Sequence, residues 1–188
     1  MDVYLIRHTP VAVPSGTCYG ASDIELALGW PEELERIRGK LPLARLTGDN
    51  LYTSPLKRCR TLAQSLHPGA KPNELLREMD FGEWELKPWG DIPREHVEAW
   101  LADLENVAAP GGESLADVYA RGAAFLRQLE AEAHEIAFVM THGGMLRCLL
   151  AHALGLPLGN ADRLQIDYGG VSKIRLEGPR VRIDWINR

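Results

Sequence analysis

The chain has 188 residues, 45% of them hydrophobic and 25% charged, with a formal net charge of −5. Such a length suits one domain over residues 1–188 with a sizeable core, and the composition excludes a disordered or fibrous chain. The acidic balance and the lack of a Lys/Arg block argue against nonspecific binding to nucleic acid or an anionic membrane, so an anionic ligand needs a local cluster of positive charge.

Val3 to Ile6 form an apolar run without alternation, too short for a helix, which predicts a strand covered on both faces. It delivers Arg7 and His8 together before Pro10 ends it. Both are costly to bury unpaired, so they are expected at the carboxyl edge of a sheet, where open parallel sheets bind ligands. Residues 10–23 hold Pro10, Pro14 and Gly16 before Gly20 and read as a long loop. PEELERIRGK, from Pro31 to Lys40, is an expected helix with acids in its first turn and bases in its last. Asn50 to Ser54 form a second short strand. In SPLKRCRTLAQSL, Ser54 is the expected N-cap and Pro55 the first helical residue, with Leu56, Cys59, Leu62, Ala63 and Leu66 as the buried stripe.

Glu74 to Trp89 is irregular and dense in aromatics, and EHVEAWLADLENV, from Glu95 to Val107, reads as a helix. Pro110 to Gly112 break the chain. Ser114 and Asp117 form a capping box for a long helix to about His134, burying Leu115, Val118, Phe125, Leu126 and Leu129. Ile136 to Met140 are another continuous apolar strand, ending in Thr141-His142-Gly143-Gly144. A helix follows with Leu146, Leu149, Leu150, Ala153 and Leu154 on one side, stopped by Gly155 and Pro157. The tail alternates on both sides of Gly178-Pro179, which predicts a hairpin. Strands alternating with helices predict the α/β class.

Two strands therefore end in histidine, and in a parallel sheet their ends share an edge, which would bring His8 and His142 together. Lys57, Arg58 and Arg60 crowd the start of a helix, where the dipole disfavours cations; a bound anion would reconcile them. Lys57 and Arg60 read as solvated surface, whereas Arg58 precedes the apolar Cys59 and is the base singled out. Cys18, Cys59 and Cys148 suit neither a disulfide framework nor a metal site and fit a reducing cytoplasm. No basic leader precedes the first strand, and no apolar run approaches the roughly 20 residues that span a bilayer.

The Arg7-His8 pair, SPLKRCRTLA, LREMDFGEWE, GGES and VMTHGG, in that order over residues 2 to about 150, resemble the histidine phosphatases, the phosphoglycerate mutase-like superfamily. The resemblance implies a three-layer α/β sandwich with a mostly parallel central sheet. Within the family the chain looks most like the alpha-ribazole phosphatases, through FGEWE and the C-Y-G-x-x-D pattern from Cys18 to Asp23. By this resemblance His8 is the nucleophile, with its second nitrogen held by a backbone acceptor; Arg7 and Arg58 clamp the phosphoryl oxygens and His142 donates to them. Glu78 aligns with the family's proton donor, with Glu83 and Glu85 as rival acids. No metal or other cofactor is implied.

Glu113 of GGES and Gly143 are further expected pocket residues, and Tyr19 and Gly20 belong to the loop that carries the closer resemblance. The chain departs from the common R-H-G pattern at Thr9, and Pro14 stands where most members have a phosphate-binding Asn. The missing contact is expected from Thr9, Ser15 or Thr17. The implied function is a phosphomonoesterase working through phosphohistidine on a small phosphate ester, namely alpha-ribazole 5'-phosphate in cobalamin lower-ligand assembly. The alternatives are a broad-specificity phosphatase, a phosphoglycerate mutase-like enzyme, or a noncatalytic sensor of a phosphorylated ligand. No motif encodes an oligomeric state.

Overall fold

Six strands form one sheet: β1 (Asp2–Arg7), β2 (Leu51–Thr53), β3 (Lys71–Pro72), β4 (Ile136–Thr141), β5 (Val171–Glu177) and β6 (Arg180–Trp185). The computed structural model describes residues 1–178 and 180–188; Pro179, in the expected hairpin turn, lies outside the described residues. The order is β3-β2-β4-β1-β5-β6, with β1 to β4 mutually parallel and β5 antiparallel to both its neighbours.

The central strands are apolar throughout because each face is covered. Val3, Leu5, Ala137 and Val139 pack with α4 (Leu115–Ala131) and α5 (Gly143–Leu154). Ile6, Ile136, Phe138 and Met140 pack with α1 (Trp30–Arg38) and α2 (Lys57–Leu66) on the opposite face. This is the three-layer α/β sandwich expected. A third cluster joins Cys18, Trp84, Ile92 and Ala109 to Phe81, Trp89, Val97 and Trp100, so the FGEWE aromatics and α3 (Arg94–Ala102) make a small core of their own. Among the described residues no helix is long and apolar enough to cross a membrane.

Several boundaries differ from expectation. The second helix starts at Lys57, not Pro55, and no side chain caps it at Leu56. Ser54 extends the sheet instead, its N–H donating to the Met140 carbonyl at 2.9 Å. The first helical N–H, that of Lys57, donates to Asp23 Oδ1 at 2.5 Å, a carboxylate from the first loop placed where the helix dipole favours negative charge. The helix expected over 95–107 ends at Ala102, where Asp103 Oδ1 accepts the N–H of Asn106 and turns the chain. The long helix ends at Ala131, short of His134, and Leu154 is exposed, off the buried side of α5. The capping box forms as expected, with Ser114 Oγ accepting the Asp117 N–H and Asp117 accepting the Ser114 N–H. The short edge strand β3 had no apolar pattern to announce it.

Candidate active site

Arg7 pairs with Thr141 in the β1–β4 register, and the His8 N–H donates to the Thr141 carbonyl at 3.0 Å. The next residues of both strands, His8 and His142, therefore emerge side by side, their rings edge to face at 5.1 Å between centroids. Both are buried. His8 Nδ1 lies 2.7 Å from the Thr9 carbonyl oxygen. A carbonyl can only accept, so Nδ1 carries the hydrogen and Nε2 keeps its lone pair. Burial, then the charges of Arg58 and Arg7, lower the His8 pKa well below the usual histidine value, although the Thr9 carbonyl opposes the shift.

His142 is fixed in the complementary way. Arg58 Nε–H donates to His142 Nδ1 at 3.1 Å, which leaves its hydrogen on Nε2, 2.7 Å from Ser54 Oγ. Burial, followed by the charges of Arg58, His8, Arg7 and Arg121, lowers its pKa well below the usual value. Both ring nitrogens are thus engaged by the protein, and the hydrogen expected to meet phosphoryl oxygens is directed at Ser54. That role explains why Ser54 does not cap α2. Burial pushes the neighbouring Cys59 thiol up, so it stays protonated beside the imidazole.

Arg58 is fully buried, the largest such side chain. Its Nη2 donates to the Gly20 carbonyl at 2.6 Å and its Nη1 to the Ser22 carbonyl at 2.8 Å. Lys57 points outward and pairs with Glu25. Of the three bases at the helix start, only Arg58 enters the site, and Asp23 and Glu25 supply part of the expected negative charge. Arg7 donates from Nη1 to the Ile166 carbonyl at 2.5 Å, while its buried Nε has no hydrogen-bond partner among the described residues. Gly143 lies against this guanidinium, where an added Cβ would sit 3.2 Å from Cζ.

Glu78 closes the start of α5. Its Oε2 accepts the Gly144 N–H at 2.9 Å and its Oε1 accepts the Met145 N–H at 3.1 Å. It also lines a charged cavity of about 310 Å³ with Ala21, Arg77, Glu113 and Arg121. Glu113 is bound on both oxygens by Arg121, at 2.9 and 2.8 Å, and accepts the Asp80 N–H; it ties α4 to the segment carrying Glu78. Thr9 contributes its carbonyl, and its buried hydroxyl has no hydrogen-bond partner among the described residues. Pro14 and Ser15 are exposed and, with Thr17, line a separate cleft of about 340 Å³ bounded by Tyr19, Trp89 and Tyr168.

A model of the histidine phosphatase superfamily (branch 1) matches residues 3–188. The chain belongs to the histidine phosphatase superfamily. As a histidine phosphatase it is a hydrolase of phosphate esters. It is 26% identical over 195 residues to a putative phosphoserine phosphatase 2 of Hydrogenobacter thermophilus, covering 99% of this chain and 95% of the relative. It is 25% identical over 186 residues to the adenosylcobalamin/alpha-ribazole phosphatase of Salmonella typhimurium, covering 93% and 90%. Its fold matches that of the alpha-ribazole phosphatase from Shigella flexneri with a TM-score of 0.89 at 23% identity, covering 100% and 96%.

This histidine phosphatase also holds residues that sequence reading passed over. Tyr168 lies over Arg7, with the guanidinium carbon 3.7 Å from the ring centroid, and its ring is 5.5 Å from His8. Its hydroxyl meets that of Tyr19 at 2.5 Å, closing the aromatics over the site. The available signal was Gly169-Gly170 directly before β5: Gly169 has a φ of +64°, and the turn returns to β1 through Gly169 N–H to the His8 carbonyl and Arg7 N–H to the Gly170 carbonyl. Glu85, weighed as a rival acid, instead accepts the N–H groups of Gly20, Ala21, Ser22 and Phe81 and the Ser22 hydroxyl. Burial alone would raise its pKa, but these donors hold it below the usual carboxylate range. Gly20 is required by space, since a Cβ there would lie 1.8 Å from the Met79 carbonyl oxygen.

Proposed function

We propose that this histidine phosphatase cleaves a phosphate monoester in two steps through His8, with alpha-ribazole 5'-phosphate as its substrate. The observation that carries the first part is the neutral His8, with Nδ1–H held by the Thr9 carbonyl and Nε2 left as a nucleophile in a ring that feels the charges of Arg58 and Arg7. Nε2 attacks phosphorus, the ester P–O bond breaks, and the departing oxygen takes a proton from Glu78. Water then attacks the phosphohistidine, gives a proton back to Glu78 and releases inorganic phosphate. Arg7 and Arg58 keep further N–H groups for the phosphoryl oxygens, whose charge they stabilise without reorganising. His142 acts by holding Arg58 Nε. Because His8 is only 2% exposed, the Tyr19–Tyr168 pair must part before a phosphoryl group reaches it.

The substrate reading rests on the cleft beside the site. Its aromatic faces, Tyr19, Trp89 and Tyr168, suit a planar base, and among the described residues none of its lining side chains is charged. The carboxylate of a phosphoserine or phosphoglycerate would meet no cation in this cleft among the described residues, whereas the cavity at Glu78 holds Arg77 and Arg121. The names borne by two of the similar proteins agree with a nucleotide-like substrate. Specificity constants for alpha-ribazole 5'-phosphate, phosphoserine and 3-phosphoglycerate test this. A preference of at least about tenfold for the first is expected. Equal values would leave a broad phosphatase, and a phosphoserine preference would overturn the substrate assignment.

A further inference from the structure

Glu85 makes no contact with either histidine or either pocket arginine among the hydrogen bonds and ion pairs of the described residues, yet its bonds end one residue away from Arg58. Its Oε2 accepts the Gly20 N–H at 3.0 Å, the Ser22 N–H at 3.1 Å and the Ser22 hydroxyl at 2.5 Å. Its Oε1 accepts the Ala21 N–H at 2.9 Å and the Phe81 N–H at 3.0 Å. The loop 20–22 thus turns its N–H groups toward one carboxylate. Its carbonyls at Gly20 and Ser22 point the other way, onto the two terminal nitrogens of Arg58. We infer that Glu85 is a positioning residue for Arg58: it fixes the two carbonyls that aim the guanidinium at the phosphoryl group. The inference rests on the phosphate-pocket reading of Arg58.

The surroundings make the relay stiff. Trp84, next in chain, is buried in the aromatic cluster, and just before the loop the Cys18 N–H donates to the Lys87 carbonyl while the Cys18 carbonyl accepts the Leu86 N–H. Gly20 approaches the Met79 carbonyl too closely for any side chain, so the loop packs directly against the segment that follows Glu78. Only a carboxylate presents acceptors on both arms to a set made entirely of donors. An amide would aim an NH₂ at one half of them, and a shorter acid would not span both. The C-Y-G-x-x-D loop therefore serves first to hold Arg58, with Asp23 securing the helix on which that arginine stands.

The test measures inorganic phosphate binding by titration calorimetry, together with kcat/KM, in Glu85→Gln, Ser22→Ala, Arg58→Ala and the two double variants. Glu85→Gln is expected to weaken phosphate binding and lower kcat/KM by about tenfold, and Ser22→Ala, which removes one bond only, by a few-fold. In the Arg58→Ala background both substitutions should leave phosphate binding and kcat/KM unchanged while still lowering the melting temperature. Should Glu85→Gln fail to fold, Ser22→Ala carries the comparison. Effects that persist at full size without Arg58, or single variants that lose melting temperature but keep phosphate affinity, overturn the relay. If Arg58→Ala itself binds phosphate as the parent does, the pocket reading fails and the relay with it.

Discussion

The two buried histidines make a quantitative demand on stability as the solution is acidified. His8 and His142 face one another and are faced by Arg58 and Arg7; Tyr168 packs on the first, and Ser54 and Cys59 lie against the second. Burial and both arginines depress the pKa of each ring, so the unfolded chain takes up protons that the native protein refuses. The sign follows directly. Stability from these groups is complete above the unfolded pKa near 6.5 and falls as pH drops below it. A histidine that stays neutral from about pH 7.5 to about pH 5.5 forgoes up to about 1.4 kcal/mol, and the pair up to about 2.7 kcal/mol. For a chain of 188 residues this is a fall of about 5–10 °C in melting temperature. Thermal denaturation across that window measures it, with His8→Gln and His142→Gln each expected to remove about half of the acid sensitivity. A parent protein whose stability is flat across the window, or whose slope survives in the double variant, would refute the assignment of these rings as neutral and uncharged in the native state.

Three further outcomes are expected. Gly20→Ala places a methyl 1.8 Å from the Met79 carbonyl oxygen, so denaturant unfolding should show a loss above about 2 kcal/mol accompanied by reduced activity. Ser114→Ala removes the cap of α4 and should cost about 1 kcal/mol while kcat/KM stays within about twofold, because among the described residues the Ser114 hydroxyl bonds only Asp117. Arg58→Ala should lower kcat/KM by at least about 100-fold, against less than about threefold for Lys57→Ala, whose side chain pairs with Glu25 at the surface; equal losses would mean the wrong base was chosen.

The sheet centre and the meeting of His8 with His142 were legible because local signals carried them. Each strand is an unbroken apolar run, each ends in a histidine before Pro or Gly, and parallel pairing does the rest. Ser54 was misread because Ser-Pro is the same text whether its hydroxyl caps a helix or receives the His142 hydrogen from 88 residues away. The role of Glu85, weighed only as a rival acid, and the place of Tyr168 were hidden for a similar reason. Their partners stand 63 to 65 and 149 residues distant, and no periodicity links positions so far apart. Glu113 was legible only in part: its motif pointed to the pocket, whose cavity it lines with Glu78, but not to Arg121, which binds both its oxygens. Motifs pointed to Arg7, His8 and Arg58, but tertiary contacts decided which neighbours hold them.

In the proposed reaction His8 carries the phosphoryl group. Rapid-quench labelling with a radioactive phosphate ester, followed by peptide mapping of the acid-labile phosphorylated residue, tests it most directly. Transient label is expected on His8, appearing before product release and abolished in His8→Ala, while His142→Ala still accepts label at a reduced rate. Label on another residue, or steady turnover with no phosphoenzyme under conditions that trap phosphohistidine, would contradict it.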